Sequence, residues 1–458
     1  MLFQSWTFVA FFALVYTGYL LVRHTRLKLP WLLVASYVFY GWWNPLYVPL
    51  ILYATAVDYL TVTRMANSRR RALWLAVSVL NDLGLLAFFK YAGFVTTNVN
   101  ALLGALGTAY QLPAPSFLLP VGISFYVFRS LTYTIDFYRG KIAREPSFLR
   151  YATFVSFFPY LLAGPIEPAE HMLPQLAREN RITREDVTDG LSLFVVGLFK
   201  KVALADFLSK YVAQAYAAPG EQSGAALALA TFAFAWQIYF DFSGYTDMAR
   251  GLGRLMGFRL MLNFRNPYLA DGLGDFWRRW HISLSSWFKN YLYIPLGGNR
   301  RGTFNTYRNM VLTMAVSGLW HGAAWTFLIW GLLHALGRVV TRELERTRVY
   351  REKVPRFLKQ MAVFAFVAFA WVFFRAESLH DAGVIVARMF TAGWTDPRFP
   401  VLALALVLSA WIYQYIHESR LGRVLEWAPL RIALVVLIVV YVTLCGEGGG
   451  QPFVYFKF

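Results

Sequence analysis

The sequence predicts an all-α polytopic membrane protein, and three observations carry that expectation. Of 458 residues, 58% are hydrophobic, and the mean hydropathy is +0.45. A soluble domain does not hold so many long apolar runs. Charged residues make up 15% and cluster between those runs. The runs lack period-2 alternation and are longer than a barrel strand of about 10 residues, which excludes a transmembrane barrel.

Taken in order, the candidate spans are 2–22, 30–43, 45–62, 72–91, 118–138, 187–212 and 225–248 in the first half. The second half offers 310–320, 323–340, 358–374, 401–416 and 432–444. Spans 30–43 and 310–320 are short for a crossing that needs about 20 residues, so they are expected to be tilted, kinked or buried among other helices. Segment 1–22 has no basic n-region, and Arg23, Arg26 and Lys28 follow it. It reads as a retained first span, not a signal peptide.

The net charge is +19, from 44 Lys and Arg against 25 Asp and Glu. With 23–28 placed in the cytoplasm, alternation puts the basic loops 64–71, 139–144, 250–308, 338–359 and 420–431 on that same side. The opposite loops 92–117 and 214–224 hold no Lys or Arg. Topology thus accounts for the basic excess, no nucleic-acid partner is expected, and both termini are expected outside. Region 376–400 fits less well, with Arg388 and Arg398, and is expected to hold an interfacial helix. The single cysteine, Cys445, excludes an intrachain disulfide and a cysteine-based metal site.

Two regions do not read as simple spans. In 151–176 the apolar run is broken by Pro159, Gly164-Pro165 and Pro168, which points to a re-entrant segment buried in protein. In 257–301 aromatic and basic residues alternate with Gly and Pro, as for an amphipathic helix over 274–292 with flanking loops. No internal repeat or soluble domain stands out, so residues 1–458 are read as a single membrane domain.

The chemistry centres on His321, in the run Ser317-Gly318-Leu319-Trp320-His321-Gly322-Ala323-Ala324-Trp325. An ionisable side chain at bilayer depth is a functional candidate by default, and a neutral imidazole can take a proton from a hydroxyl. Gly318 and Gly322, four apart, face one side and allow close packing, while Trp320 and Trp325 can wall the site. The second constellation runs from Asp275 to Tyr293. There His281 can position substrate or donate to an oxyanion, and Arg278, Arg279, Lys289, Arg300 and Arg301 can grip donor phosphates. The competing reading is an interfacial helix with snorkelling cations. Trp320, Ser285, Asn299 and Asp241 complete the donor- or substrate-binding candidates. Asp241, with Gln237, Ser243, Tyr245 and Asp247, lines a cavity or satisfies helix contacts. Glu167, Glu170 and His171 are read as tying the re-entrant loop.

No zinc-protease HExxH, phosphate loop or nucleophile elbow is present. His334, 13 residues past His321, points to another helix face, so no metal site is expected. His24 and His417 sit at span ends, and His380 in a loop.

The block Trp277-Arg278-Arg279-Trp280-His281-Ile282-Ser283-Leu284-Ser285-Ser286-Trp287, then Tyr291-Leu292-Tyr293-Ile294-Pro295-Leu296-Gly297-Gly298-Asn299-Arg300, resembles the signature of membrane-bound O-acyltransferases, the MBOAT family. Leu319-Trp320-His321-Gly322 is similar to that family's histidine motif. Phe39-Tyr40-Gly41-Trp42-Trp43-Asn44-Pro45, the run 157–166 and the terminal 452–458 add to the resemblance, which covers the whole chain. Within the family the chain resembles the bacterial alginate O-acetylation branch more than the D-alanyl transfer branch. The resemblance implies a ring of about 11–12 transmembrane helices, with re-entrant and interfacial helices, around a central funnel. It assigns the family's essential histidine to His321 and its second histidine to His281. It implies acetyl transfer across a bacterial cytoplasmic membrane from a cytosolic thioester, acetyl-CoA, with no bound cofactor. The acceptor would be an exopolysaccharide or an extracytoplasmic acetyl-accepting partner protein. D-alanyl or other acyl transfer to a wall polymer is the alternative. A proton-coupled transporter and a scaffold of an export complex are the readings from other classes.

Overall fold

The computed structural model of the chain describes residues 1–115, 117–395, 400–419, 421, 427–445 and 453. The terminal motif 452–458 lies outside these apart from Phe453, as do Arg398 and much of the basic loop 420–431. Every regular element among the described residues is helical. Five helices are long and apolar enough to cross a bilayer: Pro45–Ala66, Arg71–Ala105, Gly224–Leu255, Arg356–Arg375 and Val401–Glu418. A shorter apolar helix, Trp6–Val22, joins them. The expectation of an all-α, multi-pass membrane protein holds.

The chain divides into two compact units, 1–194 with 248–261, and 195–247 with 262–458. The first unit opens with α1 (Trp6–Val22), α2 (Lys28–Gly41), α3 (Val48–Ala66), α4 (Arg71–Leu86), α5 (Ala92–Ala105) and α6 (Ile123–Tyr138). Ser5 caps α1 by accepting from the Phe8 amide at 3.2 Å. The expected span 72–91 does not stop at its edge. A π-helical turn, Ala87–Tyr91, carries α4 directly into α5. No proline interrupts that stretch, and the helix ends only near Gly107, whose φ of +77° suits glycine.

The proline-broken region folds as three short helices, α7 (Phe148–Ser156), α8 (Phe158–Leu161) and α9 (Ala169–Ala177). Pro159 sits in the first turn of α8, where its missing N–H costs nothing. Almost all of 151–169 is buried. Gly122, at φ +79°, opens α6 against the Leu161 carbonyl; a Cβ there would stand 2.9 Å from that oxygen.

The segment expected as one span at 187–212 is α10 (Arg184–Phe199), a π-helical turn Lys200–Ala205 and α11 (Asp206–Ala217). Helix α12 (Gly224–Leu255) follows. The second unit continues with α13 (Leu273–Arg279), α14 (Ile282–Phe288), α15 (Gly302–His321), α16 (Trp325–Leu344), α17 (Arg348–Glu352) and α18 (Arg356–Arg375). It ends with α19 (Leu379–Thr391), α20 (Val401–Glu418) and α21 (Ala428–Cys445). Helix α19 occupies the region expected to hold an interfacial helix, and Ser378 caps it through the Asp381 amide at 3.0 Å.

Helices α15 and α16 make the most extensive packing in this unit, and α16 also packs on α13 and α18. Small residues permit that approach. A Cβ on Gly318 would lie 2.2 Å from the Phe327 carbonyl oxygen, and one on Gly331 would lie 2.3 Å from that of Met314. The two backbones therefore meet with no side chain between them.

Candidate active site

His321 is the last residue of α15. Gly322 follows in extended conformation, and a Cβ on it would strike the Phe327 ring at 2.1 Å. The chain therefore turns back into α16 immediately beyond the imidazole. His321 is 2% exposed and walled by rings. Trp320 and Trp330 each lie 5.0 Å from it between centroids, and Phe374 lies 5.4 Å away. Trp330 meets the imidazole edge-on, at 85°. The expected walling role of Trp325 falls instead to Trp330, since Trp325 is half exposed on the first turn of α16.

His281 is placed by a break that the sequence pattern did not show. The amphipathic helix expected over 274–292 is interrupted between α13 and α14, where His281 has φ +41°. A left-handed conformation is uncommon for a residue with a Cβ and needs support from its surroundings. Asn263 provides it. Its carbonyl accepts from the Ile282 amide at 2.9 Å, and its side-chain oxygen accepts from the Ser283 amide and hydroxyl at 3.2 and 2.7 Å. The Arg279 carbonyl accepts from the Arg265 amide at 3.0 Å. His281 is fully buried, 4.6 Å from Phe242 and 6.2 Å from Trp320 between ring centroids. Burial disfavours the imidazolium and pushes its pKa below the ordinary histidine range.

Trp320 therefore touches both histidines, and the rings run His281, Trp320, His321, Trp330, His334. The structure brings together His321, His281 and Trp320. It adds Trp330, Phe374 and Phe242, which sequence reasoning missed. Trp330 carried a weak signal, nine residues past His321 and directly before Gly331, but only the tight α15–α16 turn makes that spacing a contact.

The remaining candidates have other settings. Arg279 donates to Asp275 at 2.8 Å and to Glu418 at 2.7 Å. Arg278 is 69% exposed, within 3.3 Å of Asp275. Lys289, Asn299, Arg300 and Arg301 are exposed. The Ser285 hydroxyl donates to the Trp280 carbonyl at 3.0 Å, across the break at His281. Asp241 is buried beside Lys201 at 2.9 Å, and Lys201 also binds Asp206 at 2.8 Å. The glycine-rich turn 295–298 is pinned by Asn309, whose amide donates to the Leu296 and Gly298 carbonyls at 3.1 and 3.0 Å. Among the described residues no three His, Cys, Asp or Glu side chains gather as metal ligands. In the first unit, His171 pairs with the buried Glu167 at 2.6 Å, and Glu167 also accepts from the Met261 amide.

Residues 139–380, the stretch that holds both histidines, match MBOAT, the membrane-bound O-acyltransferase family. The chain belongs to that family. It is 41% identical to a probable alginate O-acetylase, AlgI, of Azotobacter vinelandii, over 92% of this chain and 85% of that protein. It is 32% identical to the peptidoglycan O-acetyltransferase of Helicobacter pylori, over 93% and 91%. Similarity to the teichoic acid D-alanyltransferase of Bacillus subtilis is 26%, over 57% and 69%. This MBOAT protein is an O-acyltransferase.

Proposed function

We propose that this MBOAT enzyme moves an acetyl group from cytosolic acetyl-CoA toward a polysaccharide outside the bacterial inner membrane, with His321 as general base. The polymer receives the group directly or through an extracytoplasmic partner protein, and both chain termini lie on the outer side. The observation that supports this best is the setting of His321. It ends a helix inside a wall of Trp320, Trp330 and Phe374, one ring away from His281. Relatives named as O-acetylases favour acetyl over D-alanyl transfer.

The chemistry is short. A ring nitrogen of His321 takes the proton of the acceptor hydroxyl as its oxygen attacks the thioester carbonyl. The C–O bond forms, the C–S bond breaks, and the imidazolium returns the proton to the departing thiolate. General-base assistance of this kind is worth roughly 10²–10⁴ in rate. In this reading His281 donates to the developing oxyanion, a contribution of about 10²–10³. Exposed Arg278, Lys289 and Arg300 suit the phosphates of CoA, whereas Arg279 serves its two carboxylates.

Purified protein incubated with labelled acetyl-CoA and acceptor should transfer label, and His321→Ala should lower transfer by about 10²–10⁴ at unchanged protein level. Label arriving only from an acyl-carrier thioester would move the enzyme to the D-alanyl branch. Transfer that survives in His321→Ala would remove the base.

A further inference from the structure

The ring chain does not stop at the proposed base. His334 lies four residues beyond Trp330 on the same face of α16, with ring centroids 4.8 Å apart. Trp330 is thus shared by two imidazoles, His321 at 5.0 Å and His334 at 4.8 Å. His334 is fully buried, and neither of its ring nitrogens has a hydrogen-bond partner among the described residues. Its neighbours are rings. Trp277 stands 5.1 Å away at 71°, Phe276 and Phe366 at 6.0 Å, and Trp371 at 6.4 Å.

An apolar ring would occupy this cage without desolvating two polar nitrogens, so the imidazole is costly for packing alone. Three indoles pack around it, Trp330 tilted at 59° and Trp277 and Trp371 at 71° and 61°, a cage that restricts ring orientation. Trp330 is the one of those indoles that also stands edge-on against His321. The route through Trp371 and Phe374 is longer, with rings 6.4, 5.0 and 5.4 Å apart.

We propose that His334 is a positioning residue: it fixes the rotation of Trp330, and Trp330 fixes the ring plane of His321. The proposal rests on the reading of His321 as the base. His334 touches neither donor nor acceptor, so its loss changes turnover and leaves donor affinity alone.

The test compares His334→Phe, Trp330→Phe and the double variant as purified full-length protein in lipid vesicles, with labelled acetyl-CoA as donor. Each single variant should lower kcat per mole of folded protein about tenfold, with donor KM within about twofold; Trp330→Phe also leaves a cavity and should lower Tm. Because one residue acts through the other, the double variant should be no slower than the slower single one. A His334→Phe enzyme with kcat near the parent's, or a double variant slowed by the product of the single effects, overturns the proposal. Should His334→Phe accumulate poorly, His334→Asn is judged against Trp330→Phe by the same two criteria, per mole of purified protein. His321→Ala is run alongside. If it retains transfer, the base reading fails by itself, whatever the pair does. If it is inactive and the pair is additive, only the positioning role falls.

Discussion

Arg129 in the first unit and His334 in the second are both fully buried polar side chains, and their surroundings differ in kind. Arg129 donates to the Val155 and Tyr160 carbonyls and lies 4.2 Å over the Tyr160 ring. Nearby in the same unit, the Ser78 hydroxyl reaches Asp58 at 2.6 Å and Thr134 at 3.1 Å, tying α3, α4 and α6. Much of the polar burial there ties helices to one another. Around His281, His321 and His334 the near neighbours are indole and phenyl rings. Aromatic walls exclude water and fix the direction of an imidazole. The first pattern ties helices together, and the second surrounds the proposed base.

The largest expected effect tests the second pattern. His321→Ala should lower acyl transfer by about 10²–10⁴ with the thermal midpoint of the purified protein unchanged. A fall in midpoint that accounts for the lost activity would make His321 scaffold too. The reverse holds for Arg129→Leu. It removes the Arg129 donor from the buried Val155 carbonyl, at about 1–3 kcal/mol, and leaves the Tyr160 carbonyl to the Gly164 amide at 3.3 Å. Protein recovered from membranes should drop sharply, while turnover per folded molecule stays close to the parent's. Unchanged yield would break the contrast.

Smaller effects sharpen it. Gly318→Ala puts a Cβ 2.2 Å from the Phe327 carbonyl oxygen, so α15 and α16 must separate. Over-packing of this kind costs about 1–3 kcal/mol, and Tm should fall by several degrees, with activity falling because His321 and Trp330 sit on the two separated helices. A variant as stable as the parent would show that the contact is slack. The smallest effect concerns His171, whose pKa is raised first of all by its hydrogen bond to Glu167. The raised value in the folded state makes the pair's contribution full below about pH 6.5 and lost as pH climbs through that higher value. The side chain is 41% exposed, so solvent screening holds the contribution to less than about 1 kcal/mol. Thermal melts of His171→Gln between pH 6 and 8 should show a flatter pH slope than the parent. Identical slopes would leave the pair without a stabilising role.

Much of this was legible in residues read singly. Pro159 and Gly164-Pro165 forbid a crossing, and the chain there makes short buried helices. The Gly318 and Gly322 pair announces a close approach, and α16 makes it. The family signature brought His281 and His321 forward. The break at His281 was hidden, because Trp280 and His281 continue an amphipathic pattern. What overrides that pattern is remote, the bonds from Asn263 and Arg265, some 14 to 20 residues earlier. Likewise, the π-helical turn at Ala87–Tyr91 has no breaker residue to mark it.

Composition and apolar spacing alone determined a helical, multi-pass chain, because hydrocarbon tolerates only backbone that satisfies its own hydrogen bonds. Motif residues alone indicated acyl transfer. Only tertiary structure decided which rings touch. Trp330 is equally apolar wherever it points, and it becomes part of the site because two glycines let α15 and α16 come together with His321 at their turn. Contact between side chains on different helices depends on the depth of that approach, and no local preference encodes it.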